Sequence, residues 1–220
     1  MQKNEPKTEP IMSRLTPIPT NGATLELKRG LKKGRLKLKE VPNFFHLLAN
    51  SPASLRAYIR ADAALVRGQL TPRQRQQVAL AVAEINGSSY SLSAHYETGK
   101  SLGLTHHEMQ LARNATAEDP KAERMLRFTQ AVVLQRGEVS DEDFQALRKA
   151  GFSDAQIVEI VANIALNIFC NYFNSVAKIE VDFPLLQPGT EVPRAGKSAQ
   201  SKTRPATPRA RAPKPLMSRK

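Results

Sequence analysis

Three side chains with chemical capability stand close together at helical spacing: Ser88, Ser91 and His95, at i, i+3 and i+7. Steps of three and four residues keep side chains on one face of an α-helix. Two hydroxyls and an imidazole therefore share one stripe. Ser91 and His95, four apart, also have the types of a nucleophile and its general base. The sequence supplies neither an acid to orient His95 nor a strand-to-helix nucleophile turn, which disfavours a hydrolase.

The stripe must be positioned by the stretch Leu70–Gly103, which predicts two helices joined at Asn86-Gly87. Thr71 and Gln74 form a capping box, and Pro72 suits the first turn. Val78, Ala79, Val82, Ala83 and Ile85 give that helix an apolar face. Asn86-Gly87 is a stop and turn signal. Ser88 opens the second helix, which runs to about Leu102 and stops at Gly103.

The stretch E-I-N-G-S-S-Y-S-L-S-A-H, residues 84–95, resembles the core motif N-G-C-x-Y-C-x-x-x-H of the carboxymuconolactone decarboxylase and alkylhydroperoxidase-D-like family. Asn86, Gly87, Tyr90 and His95 fit the frame. Both cysteine positions hold serine, Ser88 and Ser91. The family's glutamate, twelve residues before the first cysteine, falls on Gln76. The resemblance thus implies a site at Gln76, Ser88, Ser91 and His95, and thiol-dependent reduction of hydroperoxides as the family activity. A Cys-x-x-Cys pair at a helix N-terminus cycles between dithiol and disulfide. Serine has no such cycle, and glutamine does not shuttle a proton as a carboxylate does. The expectation is a family member without redox activity.

Other stretches carry the same resemblance: V-P-N at 41–43, S-P-A at 51–53, A-G-F-S-D-A-Q-I-V-E-I at 150–160, A-L-N-I-F-C-N-Y-F-N at 165–174 and D-F-P at 182–184. It spans about residues 41–184 and implies that Asn171, Tyr172 and Asn174 line the same pocket. It calls for no cofactor. Two other readings use the same residues. One is a cofactor-free lyase, with His95 as acid or base on a small organic acid. The other is an oligomeric interaction platform. Cys170, in an apolar run, reads as a small buried hydrophobe and serves as a peroxidatic thiol only if folding brings it near His95. Glu84 reads as a salt-bridge partner at the surface or between subunits, or as a substitute for the lost carboxylate.

No segment shows sustained strand alternation, so the class is all-α, with about seven or eight helices. Beyond the central pair, these fall at about 44–48, 52–68, 105–114, 120–136, 140–149 and 154–178. Thr105/Glu108 and Ser153/Gln156 are capping boxes. His106 and His107 are helical neighbours that point apart, a poor arrangement for one metal ion. The last helix is apolar on more than one face, so it is expected to be buried or shared with another subunit. A homo-oligomer follows from that reading.

The net charge of +13 is unevenly placed. Residues 1–40 carry a net of +6, residues 190–220 carry +8, and residues 41–189 carry −1. The expected organisation is a basic, largely flexible N-terminal segment (1–40), a helical domain (41–189) and a disordered basic tail (190–220). Lys and Arg alternate with leucine over 25–38, either as a basic arm or as a lead-in that packs its leucines. Any nucleic acid or anionic surface would be engaged by the ends, non-specifically and with salt sensitivity. One cysteine permits no internal disulfide, which fits a reducing, cytoplasmic setting. No apolar run approaches the length of a membrane span, and the first ten residues lack a secretory core.

Overall fold

The computed structural model describes residues 13–18 and 41–190. The expected basic arm at 25–38 and the basic tail lie outside the described residues, except for Thr190. Eight helices and no strand occur among the described residues: α1 (Asn43–Leu48), α2 (Pro52–Leu65), α3 (Pro72–Ile85), α4 (Ser89–Ser101), α5 (His106–Arg113), α6 (Pro120–Leu134), α7 (Asp141–Lys149) and α8 (Asp154–Ala177). This is the all-α class read from the sequence.

Helix starts follow local chemistry. Thr71, Thr105 and Ser153 each complete a reciprocal capping box with Gln74, Glu108 and Gln156. Each box satisfies two backbone N–H groups that a helix start leaves without partners. The α3–α4 turn needs Gly87, whose φ of +65° is one that L side chains rarely adopt. Helix ends fall short of expectation at several places. α2 stops at Leu65 rather than Gly68, and α6 at Leu134 rather than Arg136. Backbone N–H groups of Gln69 and Leu70 turn instead to the carboxylate of Glu159 on α8, at 2.8–3.1 Å. That tertiary anchor fixes the α2–α3 connection.

α3 is the central element and packs on α4, α5, α6 and α8. Val78 through Ala83 are all buried, so α3 is apolar around its middle rather than on one face. Burial of a side chain such as Leu80 contributes about 1.5–3 kcal/mol. A second cluster joins Phe44, Leu47, Leu48 and Leu55 to Tyr90, Ala177 and Ile179. Tyr90 anchors it: its hydroxyl accepts from the Phe44 N–H at 3.1 Å and is hydrogen-bonded to Asp182, and burial raises its pKa.

Contrary to the expectation that no apolar run approaches a membrane span, α8 has the length and composition of one, because its polar residues after Glu159, mainly asparagines, are uncharged. In this fold it packs instead on α2, α3, α4 and α6, and its buried face includes Asn163, Asn171 and Asn174. Residues 13–18 lie along the body. The Arg14 N–H donates to Ala177 O at 2.8 Å, and the Ile18 N–H donates to His46 O at 3.0 Å.

Candidate functional site

The stripe forms as its spacing predicts. Ser88 is the N-cap of α4, and its Oγ accepts from the Ser91 N–H at 3.4 Å. Both serines are buried, at 3% exposure each, so neither hydroxyl is an ordinary surface group. The Oγ of Ser91 accepts a hydrogen bond from the Asn174 side-chain amide at 2.8 Å. One turn further on, His95 lies beside Asn167. Desolvation lowers the imidazole pKa to about 4, against a weaker opposing effect of its hydrogen bond with Asn167. His95 is therefore neutral at physiological pH. The Asn167 amide donates to Asn163 O at 2.8 Å, which leaves its oxygen to accept from the imidazole N–H.

Gln76 reaches the same helix from α3. Its side-chain amide donates to the backbone carbonyl of His95, and the residue is 6% exposed. The structure thus gathers Gln76, Ser88, Ser91 and His95 around the first two turns of α4. Its polar groups are neutral: two hydroxyls, a carboxamide, an imidazole and the asparagines of α8. Asn86 at the α3–α4 turn donates to Asn171 Oδ1 at 3.0 Å. The asparagines facing this region, Asn163, Asn167, Asn171 and Asn174, recur at i, i+4, i+8 and i+11. That spacing within an apolar helix is the signal for Asn163 and Asn167, which the motif reading did not single out. Two buried amide atoms, Asn171 Nδ2 and Asn174 Oδ1, have no hydrogen-bond partner among the described residues.

One expectation changes, and others are made specific. Tyr172 does not line this region; it is 58% exposed on the opposite side of α8. Cys170 packs in the second cluster, where it is hydrogen-bonded to Tyr58, and burial raises its thiol pKa to about 12. A thiol so protonated is a poor nucleophile. Glu84 is no exposed surface charge. It pairs with the buried guanidinium of Arg113 at 2.7 Å and accepts from the Gly189 N–H. Arg113 also donates to Gln187 O at 3.0 Å, and the Leu186 N–H donates to Ser93 Oγ at 2.9 Å. The segment 184–190 is thereby strapped over the back of α4. His106 is bonded to Tyr96 Oη and His107 pairs with Glu118, so the two histidines do point apart. A surface concavity of about 600 Å³ lies elsewhere, between α6 and α7, lined by Asp119, Lys121, Arg124 and Lys149 among others.

Residues 52–134 match the Carboxymuconolactone decarboxylase family. The fold is similar to the alkylhydroperoxidase AhpD core of a peroxidase-related protein from Ralstonia eutropha JMP134. Identity is 25% and the TM-score 0.70, covering 79% of this chain and 94% of that one. A peroxidase-related protein from Silicibacter sp. TM1040 is similar at 23% identity and a TM-score of 0.64, over 82% and 94% of the two chains. The debrominase Bmp8, solved with 2,3,4-tribromopyrrole, shares the fold at 17% identity and a TM-score of 0.69, over 79% and 94%. No curated protein matches the chain.

Proposed function

Since this chain belongs to the carboxymuconolactone decarboxylase family, in its alkylhydroperoxidase-D-like form, we propose that it is a redox-inactive member. It keeps the helical frame of a thiol-dependent hydroperoxide reductase and lacks the thiol relay. In the thiol reaction a thiolate attacks a peroxide oxygen, an alcohol leaves, and a sulfenic acid forms. A second thiol then displaces water and closes a disulfide. Each sulfur position of that sequence falls here on a buried serine.

The observation that carries the reading is the hydrogen-bonding state of Ser91. Its oxygen is an acceptor for Asn174 within a neutral, buried network. Activation of a hydroxyl needs a nearby base. Gln76 has no basic oxygen, and His95 with a pKa of about 4 is a weak one. The same low basicity counts against the lyase reading, in which His95 takes a proton from a small organic acid. Cys170 is no substitute, since it is packed away from α4's stripe and held protonated.

The test is a mass measurement after exposure to an organic hydroperoxide. This chain is expected to form no internal disulfide. A Ser88→Cys, Ser91→Cys variant is expected to lose two hydrogens as its new thiols couple. Failure of that variant to couple would place the two positions outside a thiol-relay geometry.

A further inference from the structure

α2 is a helix with one buried residue, Leu55, and its opposite face is open to solvent. Between Ser51 and Gln69 the charged side chains are Arg56, Arg60, Asp62 and Arg67. The arginines fall at i, i+4 and i+11, steps that return to one helix face. Arg56 and Arg60 are about 40° apart around the axis. Arg67 stands in the turn that closes the helix, where its backbone N–H donates to Ala64 O at 3.0 Å. All three are exposed, and the exposed Ala53, Ala63 and Ala64 share their face. Asp62 lies about 120° round the helix from Arg56. It is on the side where its charge acts on Tyr58 and Cys170.

Among the described residues these three guanidinium groups have no ion-pair or hydrogen-bond partner. Arg73, Arg113, Arg127 and Arg148, by contrast, each pair with a carboxylate. The net of −1 over residues 41–189 therefore conceals an unneutralised basic line on the folded body. Like charge gathers at the N-terminal end of α2. Thr16 O accepts from the Asn50 side-chain amide, next to the α2 N-cap, and Val41 packs in the cluster that holds Leu55. The chain between those anchors includes residues 19–40, which carry seven Lys or Arg against two Glu. The basic ends of the chain are thus repelled by the line and do not neutralise it.

We propose that the line Arg56, Arg60 and Arg67 binds the phosphate backbone of nucleic acid. Each guanidinium is a planar fork of donors that matches phosphate oxygens. The line is about 17 Å long, a length over which a duplex carries about ten phosphate charges. The alanines leave the approach of a sugar-phosphate chain unobstructed. They also separate this occupant from a membrane, since a helix that enters a lipid surface sets Leu, Phe or Trp on the face it buries. The contacts are to phosphate, so the binding is independent of sequence.

The test measures binding of the full chain to a duplex DNA of about 20 base pairs by fluorescence anisotropy, between about 50 and 200 mM salt. An Arg56→Gln, Arg60→Gln, Arg67→Gln variant is expected to reduce the slope of log K against log salt by about 2.7, at about 0.9 for each phosphate contact. The control removes three other exposed cations without ion-pair partners, as Arg124→Gln, Arg136→Gln, Lys149→Gln. It has the same net charge and is expected to keep the slope of the unaltered chain. Unchanged far-ultraviolet spectra would show that both variants fold. An unaltered slope in the α2 variant overturns the proposal and leaves binding to the chain's ends alone. Equal losses in the two variants overturn it as a general effect of charge, and a full chain that does not bind the duplex overturns it outright. An α2 variant that keeps its DNA slope and loses binding to phosphatidylserine vesicles would assign the line to a lipid surface instead.

Discussion

The side-chain amide of Asn174 donates to the hydroxyl oxygen of Ser91 at 2.8 Å, joining two helices 83 residues apart in sequence. This contact ties the candidate site to α8, and both of its groups are uncharged. Removing it leaves a buried amide with neither of its polar atoms paired, since Asn174 Oδ1 already lacks a partner. Ser91→Ala is therefore expected to cost about 1–3 kcal/mol. Urea unfolding of the two proteins measures it, and a loss below a few tenths of a kcal/mol would remove the contact from the account.

Gln76 is held by donating to a carbonyl, and a carboxylate has nothing to donate. Gln76→Glu alone places an acceptor against an acceptor in a buried setting, which favours the protonated acid. The variant is expected to lose about 1–3 kcal/mol at neutral pH. The sign is set by a folded-state pKa above the unfolded value of about 4.3. The deficit should shrink as pH falls toward that value and grow as pH rises. A deficit independent of pH would contradict the burial argument.

His95 titrates in the opposite sense to a salt-bridged histidine. Its folded pKa is about 4, below the ordinary histidine value of 6.5, so the unfolded chain binds the extra proton first. Its contribution to stability is present above pH 6.5 and is lost as pH falls toward 4. His95→Gln removes the titration and should flatten the stability curve over that window. Equal slopes for the two proteins would show that His95 is better solvated than its surroundings imply.

The Glu84–Arg113 pair is nearly buried, with Arg113's side chain 1% exposed, and it holds the strap at 187–189. Truncating the acid strands a buried cation, at a cost of about 3–5 kcal/mol for such a pair. Glu84→Ala is expected to lower the midpoint of thermal unfolding and to speed proteolysis within 184–190. A change confined to a few tenths of a degree would mark the pair as solvent-screened.

The elements of this protein were legible where their signals are local. The three capping boxes, the Asn86-Gly87 turn and the Ser88–Ser91–His95 stripe depend on residues within seven positions of one another, and they form as read. What the sequence concealed depends on tertiary contact. Glu84 and Arg113 meet across two helices, and their partner strap arrives from residue 187 onward. Asn163 and Asn167 sit in a run dominated by isoleucine, alanine and leucine, where apolar periodicity masks a polar face. Tyr172 was drawn toward the site by its neighbours in sequence, yet a 100° step per residue turns it away from Asn171. The second cluster, which takes Cys170 away from the stripe, depends on α1 and on the residues after Ala177.

Turnover of an organic hydroperoxide with a dithiol reductant decides whether the serine-bearing site is redox-inactive. The measurement compares this chain with a Gln76→Glu, Ser88→Cys, Ser91→Cys variant. This chain is expected to run at the uncatalysed background rate, and the variant clearly above it. Turnover by the unaltered chain would contradict a redox-inactive site, because no described residue in the gathered site supplies an oxidisable thiolate.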